Sequence, residues 1–123
     1  MIVGTEWLIE AGGCPPEPLR DEALLRRVFA QIISDLDLKG IGEIWHKFEG
    51  AGGVTAMVAL TESHLTLHTY PEHGAATFNL YCCRTRPEWD WDANLTQMLQ
   101  ARKVTVIKIE RGDLSSISAG GAI

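Results

Sequence analysis

The chain has 123 residues, a length that fits one domain and leaves no room for a dinucleotide-binding domain beside a catalytic one, or for an eight-stranded α/β barrel. Its 11 basic and 16 acidic side chains give a net charge of −5, without the positive excess that nucleic-acid binding asks for, so no nucleic-acid partner is expected. Hydrophobic residues make up 46% of the chain, enough for a core, and a domain this small buries only a modest part of its surface, which makes self-association an expectation. From the N-terminus, Ile2 to Glu10 predicts a strand. Gly12 to Pro18, with two glycines and three prolines, predicts a loop. Asp21 suits an N-cap, and Leu25, Val28, Phe29, Ile32 and Leu36 recur at helical spacing, with a stop before Gly40. Gly42 to Phe48 predicts a second strand, Gly50 to Gly53 a turn, and Val54 to Leu60 a third strand.

The segment from Leu60 to Cys83 is the most informative. Pro71-Glu72-His73-Gly74 is turn chemistry between two alternating runs. With Tyr70 opposite Ala75, Leu67 faces Phe78, Leu65 faces Leu80 and Glu62 faces Cys83. Leu65, Leu67, Ala76, Phe78, Leu80 and Cys82 then share the core side. His64, Thr66, His68, Tyr70, Thr77, Asn79, Tyr81 and Cys83 share the other. An antiparallel sheet commonly buries one face and wets the other. This second face is rich in imidazoles, rings and a thiol for a surface that meets only water.

A second helix is expected from Trp89 or Asp90 to Gln100, anchored by Trp89 and Trp91, then a last strand from Lys103 to Glu110. Ser115 to Ile123 reads as a loose tail. The order β-α-β-β-β-β-α-β predicts an α+β fold: a two-layer sandwich of an antiparallel sheet with two helices on one face, in a single domain over residues 1–123. Adjacent Cys82 and Cys83 point to opposite faces of a strand, which opposes a bridge between them, and Cys14 is left over. Reduced thiols and a cytoplasmic protein are expected. His46, His64, His68 and His73 show no metal-ligand spacing, so no metal is expected. No signal peptide and no membrane span are expected either, since no apolar run is long enough.

Thr61-Glu62-Ser63-His64-Leu65-Thr66-Leu67-His68-Thr69-Tyr70-Pro71-Glu72 closely resembles the maturation site of the small prokaryotic S-adenosylmethionine decarboxylases. The resemblance extends through Gly74, Ala76 and Cys83, and more weakly to Gly4, Cys14 and the Lys103 to Gly112 stretch. Members of that family are proenzymes that cut themselves between a Glu and a Ser, and the Ser becomes a pyruvoyl group. The resemblance implies a cut between Glu62 and Ser63, chains of 62 and 61 residues, and a pyruvoyl cofactor made from Ser63. It assigns His68 to self-cleavage and Cys83 to both processing and catalytic proton donation. It sets Glu72 at the substrate ribose and Tyr70, where most members have Trp, next to the adenine. His64 is read as a further substrate-site or processing residue. The implied partners are a small-molecule substrate and a second copy, in a homodimer with its active sites at or near the interface. The implied activity supplies the aminopropyl donor for spermidine synthesis.

This sequence departs from the family pattern around the pocket. Arg84 stands where Gly usually follows the catalytic Cys, and Asn79 where Asp is usual. Ala75 and Cys82 are atypical, and Gly4-Thr5-Glu6-Trp7 replaces a Gly-basic-His pattern. These changes leave Ser63, His68 and Cys83 intact and bear on substrate identity. Ornithine or arginine is therefore the alternative substrate, and an uncleaved binding or scaffold homologue the alternative of another class. Glu6, Trp7 and Phe48 are further pocket candidates, Cys82 is read as core, and Cys14 as structural.

The residue types suit the chemistry. Decarboxylating an α-amino acid leaves a carbanion at Cα, and a ketone joined to the substrate amine as a Schiff base accepts its electrons. Pyridoxal phosphate usually has this role; a pyruvoyl group is built from the chain itself, which suits a chain too small to enclose a large cofactor. An ordinary imidazole titrates near ~6.5 and moves protons at neutral pH. An ordinary thiol titrates near ~8.5 and remains an acid at pH 7.

Overall fold

A computed structural model describes residues 2–112; the tail expected at 115–123 lies outside the described residues. Six strands form one antiparallel sheet: β1 (Gly4–Gly12), β2 (Gly40–Lys47), β3 (Val54–Leu60), β4 (Ser63–Tyr70), β5 (Ala75–Cys82) and β6 (Lys103–Arg111). Their order across the sheet is β2-β3-β4-β5-β1-β6. Helices α2 (Glu22–Asp35) and α3 (Trp91–Leu99) cover one face, as predicted, and a one-turn helix α1 (Pro16–Leu19) replaces part of the expected loop. Pro16 takes the first helical position, where its missing N–H is no loss and its fixed φ suits the turn.

Each helix follows from its own sequence. The Asp21 carboxylate caps α2 by accepting the Leu24 N–H at 3.0 Å, and Asp90 caps α3 by accepting from Ala93 at 3.0 Å. The apolar stripe Leu25, Val28, Phe29 and Ile32 of α2 is buried, as are Trp91, Leu95 and Leu99 of α3. They pack on Trp7, Ile9, Val58, Leu65, Leu67, Phe78 and Leu80 of the sheet. Full burial of one such side chain stabilises by about 1.5–3 kcal/mol. Phe78 lies between the two helices, with its ring centroid 6.3 Å from Phe29 and 5.6 Å from Trp91. Trp89 packs edge-on against Trp91, and its indole N–H donates to Asp35 at 2.8 Å, so the two tryptophans fasten the start of α3 to the end of α2.

Two polar devices fix the far end of β4. The buried Thr69 hydroxyl donates to the Leu19 carbonyl at 2.6 Å and accepts the Val54 N–H at 2.8 Å, joining α1, β3 and β4. A single 3₁₀ turn (Pro71–His73) ends at Gly74, whose φ of 63° lies in the left-handed region.

Among the described residues, no second layer covers the face turned away from the helices. The strand registers arrange its side chains in three rows across all six strands. The row nearest the β3–β4 turn runs Gly42, Ala59, His64, Tyr81, Glu6 and Ile109. The middle row is Ile44, Met57, Thr66, Asn79, Leu8 and Ile107. The third is His46, Thr55, His68, Thr77, Glu10 and Thr105. Ile44, Met57, Ile107 and Ile109 are exposed on this open face.

Candidate active site

The register of β4 and β5 matches the expectation, with Tyr70 opposite Ala75, Leu67 opposite Phe78 and Leu65 opposite Leu80. It brings Cys83 to the Glu62–Ser63 bond. The Glu62 carbonyl accepts the Cys83 N–H at 3.2 Å, and the Glu62 carboxylate forms an ion pair with Arg84. The main chain and the side chain of residue 62 are thus both held by the Cys83-Arg84 dipeptide. An N–H aimed at a carbonyl oxygen stabilises the negative charge that develops there when a nucleophile adds. Thr61 and Glu62 make the two-residue link between β3 and β4, with neither residue at positive φ. The two-residue turns that hairpins favour have positive φ at one or both positions.

Ser63 pairs with Cys82, and strand alternation sets its side chain on the helix side with Leu65. Burial pushes the Cys82 thiol up, and the adjacent Ser63 hydroxyl and Arg86 partly offset this. Cys83 is exposed. A cavity of about 270 Å³ beside it is lined by Gly4, Thr5, Cys83, Arg84, Lys108 and Glu110.

Next to Ser63, His64 lies at the end of a polar chain that crosses four strands. Arg111 donates to Glu6 at 2.6 Å, and the Asn79 amide Nδ2 donates to the other Glu6 oxygen at 2.7 Å. A carboxylate only accepts, so the amide must turn its NH₂ to Glu6 and its carbonyl to His64. His64 Nε2 therefore donates to Asn79 Oδ1, at 3.2 Å. The imidazole stacks on Tyr81, with centroids 5.6 Å apart and planes 19° apart. The Tyr81 hydroxyl covers Gly4, where any Cβ would collide with it. The Asn79 hydrogen bond, helped by Arg111, holds the Glu6 carboxyl below the usual carboxylate range against the opposing effect of burial.

The remaining expected residues lie at the other end of β4. Phe48, Thr55, His68, Tyr70 and Glu72 line a groove of about 400 Å³, and the Thr55 hydroxyl is 3.1 Å from His68 Nδ1. His68 is five residues from Ser63 in one extended strand, a separation of about 17 Å at ~3.3 Å per residue. The structure thus joins Ser63, His64 and Cys83 at one end and His68, Tyr70 and Glu72 at the other. Phe48 belongs to the second group.

Trp7 is corrected: it is 3% exposed within the core, on the helix side of β1, with its indole N–H donating to Glu88 at 2.9 Å. Its pocket expectation came from sharing a short motif with Glu6, but alternation sends neighbours to opposite faces. Arg84, Arg111 and the links from Glu6 through Asn79 to His64 were not foreseen. The departures from the family pattern at Glu6, Asn79 and Arg84 were their one signal in the sequence.

The fold is similar to the crystal structure of the adenosylmethionine decarboxylase from Aquifex aeolicus, with a TM-score of 0.74 and 23% identity, over 89% of this chain and 91% of that one. The family model for S-adenosylmethionine decarboxylase matches residues 5–112. The chain belongs to that family, carboxy-lyases that work through a pyruvoyl group and make the aminopropyl donor for spermidine synthesis. It is 32% identical over 115 residues to S-adenosylmethionine decarboxylase proenzyme 2 of Halalkalibacterium halodurans, covering 89% of this chain and 87% of the relative. To the S-adenosylmethionine decarboxylase proenzyme of Thermococcus kodakarensis it is 33% identical over 112 residues, covering 89% and 77%. No helix among the described residues is long and apolar enough to cross a membrane.

Proposed function

We propose that this chain, one domain over residues 1–123, cuts itself between Glu62 and Ser63 and decarboxylates S-adenosylmethionine with the pyruvoyl group made from Ser63. The observation that carries this is the hold on residue 62, whose carbonyl accepts the Cys83 N–H at 3.2 Å. The relatives named proenzymes support it.

In the cleavage, the Ser63 hydroxyl adds to the Glu62 carbonyl. The peptide C–N bond breaks, leaving an ester at Ser63 Oγ and a free amine. A base takes the Ser63 Cα proton, the Cβ–Oγ bond breaks, and residues 1–62 leave with a carboxylate at Glu62. The dehydroalanine left at position 63 takes up water and loses ammonia, giving the ketone. When present, the ketone supplies the electron sink for the Cα carbanion. Cys83 returns a proton to Cα after carbon dioxide leaves. Tyr70 stacks on the adenine, Glu72 binds the ribose hydroxyls, and His64 lines the site. No metal and no nucleic acid enter this reading. A reducing compartment such as the cytoplasm suits three free cysteines.

The protomer is completed by a second copy. His68 cannot reach Ser63 along its own strand, and Tyr70 and Glu72 are farther still. Two open faces packed about a two-fold axis running across the strands set the His68 end of one sheet on the Cys83 end of the other. The same packing covers Ile44, Met57, Ile107 and Ile109.

Intact mass tests the first step: after long incubation the protein should resolve into chains of 62 and 61 residues. The cleaved protein should release carbon dioxide from carboxyl-labelled S-adenosylmethionine. A single species near 13.5 kDa overturns the cleavage and favours an uncleaved scaffold. Cleaved protein that instead makes a diamine from ornithine, or agmatine from arginine, moves the substrate.

A further inference from the structure

The chain from Arg111 through Glu6 and Asn79 has no part in the steps above, yet it ends on the residue next to the cut. Before cleavage, residue 63 is tied covalently into the β3–β4 hairpin. Afterwards it is a chain end, and chain ends fray unless something ties them down. Its conversion also removes the amide nitrogen of residue 63, so this end keeps only a carbonyl for pairing with its neighbours. A reactive group must stay within ~0.5 Å of its working position. The first side chain able to hold it there is that of His64.

We propose that Arg111, Glu6 and Asn79 anchor His64, and through it the group made from Ser63, once cleavage has turned residue 63 into a chain end. The inference rests on the cleavage reading above. Its support is geometric. Hydrogen bonds of 2.6, 2.7 and 3.2 Å converge on the Glu6 carboxylate of β1, from Arg111 of β6 on one side and from His64 of β4 through Asn79 of β5 on the other. The imidazole is also clamped flat on Tyr81. Asn79 is the necessary link, since an aspartate there could not donate to Glu6 and would set two carboxylates against each other. The Glu6 side chain, 17% exposed, is sheltered enough for its bonds to persist. These three are positioning residues, because they act on the reactive group only through His64.

Hydrogen exchange read by mass spectrometry separates this role from an ordinary structural one. Asn79→Leu is compared with its parent in two backgrounds: the cleaved protein, and Ser63→Ala, which cannot form the ester and stays one chain. In the cleaved protein the substitution should speed exchange at His64 to Thr66 by about tenfold, the loss of one hydrogen bond to a well-held partner. In the Ser63→Ala background, where the hairpin still ties the strand, the change should stay under about twofold. In the cleaved protein kcat should fall by a similar factor while KM moves little. Glu6→Gln keeps the shape, and it should show the same contrast at smaller size if Asn79→Leu folds poorly. Equal acceleration in both backgrounds, or none in the cleaved protein, overturns the anchor. A parent that stays one chain overturns the cleavage reading and the anchor with it, and is seen before any exchange is measured.

Discussion

Arg84 and Glu62 form an ion pair in which the guanidinium side is 68% exposed. Exposed pairs contribute roughly 0–1 kcal/mol, so global stability should not register this one. In the proposed cleavage its place gives it leverage, because it steadies the residue whose carbonyl Ser63 attacks. Arg84→Gly should slow self-cleavage by up to about fivefold at low salt with an unchanged melting temperature, and added salt should erase the difference. Following the fraction of cut chain over time at two salt concentrations checks this, and equal rates at low salt would remove Arg84 from the processing machinery. Glu6 acts on stability as well. Its folded carboxyl titrates below its ordinary value of 4.5, chiefly through the Asn79 hydrogen bond. A depressed acid contributes stability that is present above the unfolded pKa and lost as pH falls through the folded one. Wild type should therefore melt above Glu6→Gln at pH 7, and the gap should close as pH falls below about 4. Melting curves of the two proteins across that range decide it.

Among the elements, the β4–β5 hairpin was the most legible in the sequence. A four-residue turn fixed the register, and a slip by one residue would have moved Leu65, Leu67, Phe78 and Leu80 onto the open face. The α1 helix was hidden because three prolines in seven residues read as a loop, although proline is at home in a first helical turn. The Thr61-Glu62 link lacked the Gly or Asn that marks a tight hairpin. The candidate site's contacts were legible only within one hairpin; outside it, Phe48 and Glu6 were named without their partners. The contacts of Glu6 depend on β1 sitting between β5 and β6, a strand order that no local pattern encodes. Gly74 shows a turn position with little freedom. Its φ is 63°, and an added Cβ would lie 2.8 Å from the Cys14 carbonyl oxygen. Gly74→Ala should destabilise by about 1–3 kcal/mol. Gly50→Ala, at φ 78° with no atom nearby, should cost about 1 kcal/mol. Urea midpoints rank the two, and an equal loss would mean that the backbone alone sets the cost.

For the whole molecule, the proposed site divides between the two ends of β4, and the proposed second copy is what would bring them together. Ser63 and Cys83 sit at one end, and His68, Tyr70 and Glu72 at the other, on an open face with Ile44 69% and Ile107 50% exposed. Bare apolar surface of this kind is characteristic of an interface, and paired sheets approach to about 10 Å. If each site takes Ser63 from one chain and His68 from the other, two inactive variants should complement. On the proposed reading Ser63→Ala alone cannot be cut, and His68→Ala alone lacks the imidazole assigned to self-cleavage. In a mixed dimer of that geometry, the Glu62–Ser63 end of the His68→Ala chain faces an intact His68 of the partner subunit. Co-expressed at equal levels with random pairing, about half of the His68→Ala chains should be cut, and none of the Ser63→Ala chains. Distinct affinity tags and intact mass read this directly, with sedimentation establishing that each variant alone is still a dimer. Cleavage of His68→Ala by itself would remove His68 from the reaction. Mixed dimers that stay uncut would show that each chain completes its site from its own residues.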